Sequence, residues 1–365
     1  MGLKCGIVGL PNVGKSTLFN CLSNAEALAA NYPFATIEPN VGVVNVPDER
    51  LSKLTELVNP QRVVPTTVEI VDIAGLVAGA SKGEGLGNQF LANIRDTDAI
   101  LHVVRCFEDD NVVHVNGKVN PIFDKEIIDT ELQLKDLETI EKKIAKYQRL
   151  LKANDKDAKR GTEVLETLKA HIEQGKSART FSVEDNEREY LADMNLLTAK
   201  PVLYVCNVDE NSVVSGNAYT QQLADVVAAE GASMLFICAQ MEAEIAQLES
   251  YDERMEFLEA MGLHEPGISK LIRESYRMLQ LITYFTAGVK EVRAWTITQG
   301  MKAPQAAGVI HSDFERGFIR AEVIGYQDYV QYGSEAATRE AGKLRVEGKE
   351  YVVHDGDVMH FRFNV

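Results

Sequence analysis

Residues Gly9–Thr17 read GLPNVGKST, the spacing G-x-x-x-x-G-K-[ST], and this stretch limits the architecture more than any other. The preceding LKCGIVGL is apolar and of strand length, and the following STLFNCLSNAEAL is helix-like. Strand, glycine loop and helix in that order make a phosphate-binding turn. Gly9 and Gly14 let backbone N–H groups turn inward around phosphate oxygens, and the helix N-terminus adds a positive dipole end. In such a turn Lys15 reaches the β- and γ-phosphates and stabilises their charge during catalysis, while the Ser16 hydroxyl is a ligand for Mg²⁺. Asn12, Val13, Gly14 and Thr17 complete the stretch expected to touch the nucleotide.

Four further runs repeat the apolar strand pattern: TTVEIVDIAG from Thr66, AILHVVRCF from Ala99, PVLYVCNV from Pro201 and SMLFICAQ from Ser233. Continuous apolar strands separated by helical stretches predict an α/β domain whose parallel sheet is covered on both faces. Ligands of such sheets bind at the carboxyl ends of the strands. The alternation stops after AILHVVRCF. Leu137, Ile140, Ile144, Tyr147 and Leu151 follow a 3-4-3-4 spacing, ANDKDAKRG breaks it, and Leu165, Leu168 and Ile172 resume it. This predicts an inserted α-helical coiled-coil hairpin at 125–200, with the nucleotide-binding domain formed by 1–124 and 201–280. A seam satisfied within one chain favours a monomer. Beyond Leu281, the pieces RAWTITQG, FIRAEVIG and YVVHDGDVMHFRFNV are short and β-rich, so 281–365 is expected to be a small α+β domain.

A chain of 365 residues is long for one core, and 45% hydrophobic with 25% charged residues is the composition of a globular protein. No apolar run reaches membrane-spanning length, so no membrane partner is expected. The start MGLKCGIVGLPN meets Gly and Pro too early for a secretory signal. The five cysteines are scattered without a C-x-x-C pair, which suggests buried thiols in a reducing cytoplasm. A net charge of -16 argues against nucleic-acid binding by the whole surface, and no DNA partner is expected. One window differs. Lys142, Lys143, Lys146, Arg149, Lys152, Lys156, Lys159 and Arg160 face only Asp155 and Asp157, a net +6 near the hairpin tip. On charge alone this is as well read as a solvated helix face. The 281–365 segment is near -1 and carries no strong footprint for nucleic acid.

Further pieces of a nucleotide switch follow in order. Thr36 in YPFATIEPN is placed to be a second Mg²⁺ ligand, and VEIVDIAGL ends a strand with Asp72 and then Gly75. Asp72 can hold Mg²⁺ through water, and the Gly75 N–H can sense the γ-phosphate during hydrolysis. The glycine-rich GASKGEGLGNQF is expected to be mobile, as a switch segment should be. Where a Ras-like protein places a water-orienting Gln, this chain has Leu76, which cannot hydrogen-bond water. His114, in DDNVVHVNGK, is a catalytic candidate to replace it, and Asn12 can help hold a monovalent cation, K⁺, near the phosphates.

CNVDENS, from Cys206, lies where a GTP-binding protein would carry Asn-Lys-x-Asp. The terminal Asp of that motif takes two hydrogen bonds from guanine that adenine cannot offer, and lost pairing at such a site changes discrimination strongly. Here Asn207 is retained, Val208 replaces the Lys beside the base, and Glu210 replaces the Asp with a longer arm. Asn207 can still offer its amide to the N7 and N6 edge of adenine. ATP is therefore the expected ligand.

GLPNVGKST, YPFATIEPNVG, DIAGLVAGASKGEGLGNQFL, NVDE and HSDFERGFIRAEV together resemble the YchF/Obg-like ATPase family of P-loop NTPases, over essentially the whole chain. The resemblance implies a P-loop domain, an inserted coiled-coil hairpin and a C-terminal β-grasp domain of the TGS type. It also implies ATP preferred over GTP, a hydrophobic residue in place of the catalytic Gln, and association with the ribosome. His114 matches the family's catalytic His. The basic hairpin is then the expected rRNA contact, with the TGS-like segment able to meet RNA or protein. A GTPase of ordinary specificity, and an ATP-sensing scaffold with incidental turnover, remain alternatives.

Overall fold

The computed structural model describes residues 3–28, 40–73, 86–151, 156–248 and 250–364. Its strands are β1 (Lys4–Val8), β2 (Val41–Asn45), β3 (Val63–Val64), β4 (Thr67–Asp72), β5 (Ala99–Arg105), β6 (Val202–Asn207), β7 (Ser233–Ile237), β8 (Leu281–Ala287), β9 (Val292–Thr298), β10 (Phe318–Gly325), β11 (Arg345–Glu347) and β12 (Asp357–Phe363). They form two six-stranded sheets, in the orders β2-β4-β1-β5-β6-β7 and β11-β10-β12-β8-β9-β3.

The first sheet contains all five strands expected there, with β4, β1, β5, β6 and β7 parallel. Every residue of β5 and of β6 is buried, as a strand covered on both faces requires. Helices α1 (Lys15–Leu28) and α3 (Leu86–Arg95) belong to this α/β unit. β2 was not expected. Its alternating half-buried and buried residues lie outside the apolar-run pattern that marks the other strands.

The inserted hairpin is present as α4 (Pro121–Leu151) and α5 (Lys156–Glu173). Asn120 caps α4 by accepting from the Phe123 N–H (3.2 Å), and Pro121 opens it at a position where no N–H is needed. The seam residues Ile140, Ile144, Leu165, Leu168 and Ile172 are buried together. Gly161 is required where α5 crosses Tyr147, because a Cβ there would run into that ring. The helical hairpin was expected to extend to about 200. Instead, short turns after α5 return along it, and Met194 and Leu196 join the seam as a third strip. Asp136, fully buried, accepts from Leu197 N (2.7 Å), Thr198 N (2.8 Å) and Thr198 Oγ1 (2.7 Å), which pins this return to α4. At the root of α4, Lys125 pairs with Asp129 (2.6 Å) and Glu230, and Arg179 pairs with Glu230 (2.8 Å). Two cations and two carboxylates thus satisfy one another in a largely buried site.

The chain forms two compact units, Leu3–Val43 with Glu69–Leu271, and Val44–Val68 with Ile272–Val365. This departs from the expected boundaries. Residues 44–68, read as part of the nucleotide-binding domain, belong with the C-terminal segment. The reason is tertiary: Leu51 and Leu54 of α2 (Glu49–Val58) pack with Phe285, Val292 and Val358, and β3 pairs with β9. On the sheet's other face, the helix Ala303–Ile310 buries Ala303, Ala306 and Ala307 against Tyr284, Val323 and Phe361. Among the described residues no helix is long and apolar enough to cross a membrane.

Glu242 lies on the short helix Ala239–Ile245 after β7, 3% exposed, and accepts from Gly267 N (2.7 Å) and Ile268 N (3.4 Å) at the start of the helix Gly267–Met278. Burial outweighs these two bonds and pushes its carboxyl from 4.5 up to about 7. The folded state therefore holds a proton that the unfolded chain releases, and this contribution to stability is lost as pH rises from about 4.5 through about 7. Chemical denaturation across that range should show wild type losing about 3 kcal/mol relative to Glu242→Gln. A pH-independent difference between the two would contradict this assignment.

Candidate nucleotide-binding site

The carboxyl ends of β1, β5, β6 and β7 bring the predicted residues together. The loop after β1 turns through Asn12 (φ 64°) and Gly14 (φ 94°), and α1 starts directly at Lys15. Gly14 is obligatory twice over. Its left-handed backbone disfavours a side chain, and a Cβ would collide with the Asn207 amide. The Lys15 ammonium, 9% exposed, is paired with the Asp72 carboxylate at the end of β4. Ser16 and Thr17 are exposed at the helix N-terminus, next to that pair. A buried lysine matched by a single carboxylate, flanked by a free hydroxyl, is a donor set suited to a phosphate chain and a hard cation. Ser16 and Asp72 supply oxygen ligands of the kind Mg²⁺ takes. Thr36, Gly75 and Leu76 lie outside the described residues, as does the glycine-rich stretch before α3.

Asn207 has a role beyond the one expected of it. Its Nδ2 donates to Val13 O (2.9 Å) and its Oδ1 accepts from Ala239 N (2.9 Å), so one buried side chain ties the phosphate loop to the start of the helix after β7. The carbonyl is committed, and one N–H of the amide is left for a base. Val208 is 2% exposed, with its N–H held by Ile237 O (2.9 Å). Its side chain is packed inside, so it is not presented beside a ligand as the lysine it replaces would be. Asp209 accepts from Ser212 Oγ (3.0 and 3.1 Å), which fixes the turn and leaves Glu210 exposed at its edge.

His114 is buried in the loop after β5. Its Nε2 donates to Asp124 Oδ2 (2.8 Å), and its Nδ1 accepts from Asn116 N (3.1 Å). Asn116 Nδ2 also reaches Asp124 Oδ1 (3.2 Å). Burial raises the Asp124 carboxyl, and the bonds from His114 and Asn116 oppose that rise. Both ring nitrogens are occupied, so the imidazole has no free lone pair in this arrangement. The same loop nevertheless meets the phosphate loop: Asn12 Nδ2 donates to Val113 O (3.1 Å). Asn12 thereby keeps only its Oδ1 free for a cation.

Sequence reasoning missed Arg105. It is 1% exposed and donates to the carbonyls of Phe107 (3.1 Å), Val112 (2.8 Å) and Asp109 (3.2 Å). An arginine closing an apolar strand was the available signal.

A parallel sheet, a glycine loop running into a helix, and a Lys–Asp pair at the strand ends define the protein as a P-loop nucleoside-triphosphate-binding protein. Comparison with known proteins narrows the class. A family profile described as "50S ribosome-binding GTPase" matches residues 4–156, and a profile for the C-terminal part of YchF GTPases, described as of unknown function, matches 281–364. The chain is 58% identical to the "Ribosome-binding ATPase YchF" of Haemophilus ducreyi and 56% identical to that of Escherichia coli O157:H7, each over 100% of both chains. The structure of the Schizosaccharomyces pombe YchF GTPase superposes with a TM-score of 0.88 at 39% identity, covering 99% of this chain and 98% of that one. The chain belongs to the YchF family.

If Asn207 acts first as a brace, Asn207→Ala should weaken ATP and GTP binding together, by about 10-fold or more, and leave their ratio within about twofold. Equilibrium titration with fluorescent analogues of both nucleotides measures this. A change confined to one nucleotide would make Asn207 a base reader instead.

Proposed function

We propose that this chain is a ribosome-binding ATPase that binds ATP in preference to GTP, hydrolyses it slowly, and works as a nucleotide-controlled switch in the cytoplasm. The observation that carries the reading is the base loop: NVDE stands where guanine recognition needs Asn-Lys-x-Asp, in a chain alike over its full length to relatives named ribosome-binding ATPases.

Lys15 leaves Asp72 for the phosphate chain when ATP enters, and its ammonium then balances charge that builds on the γ-phosphate. Ser16, Thr36 and Asp72 would hold Mg²⁺, which supplies further neutralisation of the β- and γ-phosphates when bound. The Gly75 N–H meets the γ-phosphate, and a K⁺ ion held by Asn12 Oδ1 would add to the same field. Leu76 leaves the attacking water unoriented, and His114 takes over that task once Asn116 releases Nδ1. Glu210, exposed at the turn, is the residue of this loop that faces the base.

Matched ATP and GTP titrations should show ATP preferred, with the preference narrowing in Glu210→Asp. Preference for GTP in the unmodified protein would return the chain to ordinary GTPases.

The hairpin offers the rRNA contact, with the C-terminal domain as a second candidate surface for the ribosome. Not every basic residue there is free. Lys142 pairs with Glu138 (2.5 Å), and Lys143 is engaged by Tyr190 O (2.8 Å) and Asp193. Lys146, Arg149 and Lys159 are exposed without an ion-pair partner among the described residues. The seam is filled from within the chain, which supports a monomer. Reversing the charge of Lys146, Arg149 and Lys159 together should abolish co-sedimentation with ribosomes while leaving ATP affinity unchanged. Undiminished sedimentation would exclude this surface.

A further inference from the structure

We propose that Arg105 is a positioning residue for ATP hydrolysis, holding the loop that carries His114 against the phosphate loop. This rests on the reading of His114 given above.

Residues 106–120, between β5 and α4, contain no helix or strand, so their carbonyls find no ladder partners. Within this stretch the Val112 N–H donates to Asp109 O (3.2 Å), and other bonds must hold the loop in place. Arg105 does so from the last position of β5. Nε, Nη1 and Nη2 each take a different carbonyl, those of Phe107, Val112 and Asp109, and the guanidinium lies over the Phe107 ring at 4.7 Å. Three acceptors arrayed around one planar fork match guanidinium; a lysine ammonium cannot reach all three with the same geometry.

The consequence falls on the next peptide. Val112 O is held by Arg105 and Val113 O by Asn12 of the phosphate loop (3.1 Å), so two consecutive carbonyls are tied to two different walls of the site. The Val113 side chain, 76% exposed, plays no part in this anchoring. His114 follows immediately. Its backbone position relative to the phosphate loop is thus set by Arg105 on one side and Asn12 on the other. Its ring is set separately by Asp124 and Asn116. Ring release can then occur without the loop leaving the phosphate loop.

A purely structural arginine would affect nucleotide binding and turnover alike. A positioning residue lowers kcat and spares binding. In the full-length protein, Arg105→Lys is expected to lower kcat for ATP about 10-fold, with ADP affinity and KM within about threefold of wild type. In a His114→Ala background the same substitution should add less than about twofold, because both act on one step. Equal losses in kcat and ADP affinity, or losses that multiply in the double variant, would overturn the proposal. Phe107→Leu removes the ring beneath the guanidinium but keeps every carbonyl, and serves if Arg105→Lys does not fold. It should lower kcat about threefold at unchanged ADP affinity, and wild-type kcat would overturn the proposal. If His114→Ala alone left kcat intact, the role given to His114 would fail. A kcat loss in Arg105→Lys would then still place the loop in the reaction through another of its groups.

Discussion

Two hydrogen bonds from one buried amide hold the functional end of this protein together. Asn207 closes β6, and its side chain reaches sideways to Val13 in the phosphate loop and to Ala239 after β7. Val13 and Ala239 are separated by long stretches of sequence. Each bond is worth about 1 kcal/mol by itself. Their combined effect is geometric, because the spacing of the glycine loop from the carboxyl ends of β6 and β7 becomes a property of one side chain. The close approach also explains Gly14, since any side chain there would occupy the space of the Asn207 amide.

Around this brace, two buried cations are matched in different ways. Lys15 rests on Asp72, and Arg105 rests on three carbonyls. The two solutions differ in consequence. In a Lys–Asp pair each partner can take a new partner of opposite sign, an anion for the ammonium and a cation for the carboxylate, so it suits a site that fills and empties. A guanidinium satisfied by backbone carbonyls gains nothing by letting go, and it suits a fixed loop. The hairpin root, with Lys125, Arg179, Asp129 and Glu230 mutually paired, is also of the fixed kind.

Family membership and local geometry meet at the NVDE turn after β6. Val208 is buried and its backbone is paired to β7, whereas Glu210 is exposed at the turn. Two departures from the guanine-reading motif therefore have different physical meanings. One removes a flanking lysine by turning the position inward; the other lengthens the carboxylate arm at the rim.

Much of the architecture was legible in the sequence because its signals are local. GLPNVGKST carries its own strand–loop–helix context, the apolar runs at β4, β5, β6 and β7 exceed what a surface strand tolerates, and the 3-4-3-4 spacing announced the hairpin. Lys15, Ser16 and Asp72, named from the motif and its strand context, are brought next to one another by the fold. Tertiary structure decided what depends on partners distant in the chain. Residues 44–68 join the C-terminal unit because Leu51 and Leu54 find their apolar partners there. Asn207 becomes a brace because Val13 and Ala239 come within reach of its amide, and His114 is locked because Asp124 turns back from α4 to meet it. Arg105 looked like the end of a strand; only the folded loop supplies the three carbonyls that give its guanidinium a task. A sequence specifies which groups exist and their local periodicity, whereas a hydrogen bond needs two atoms about 3 Å apart, and that separation is set by the whole fold.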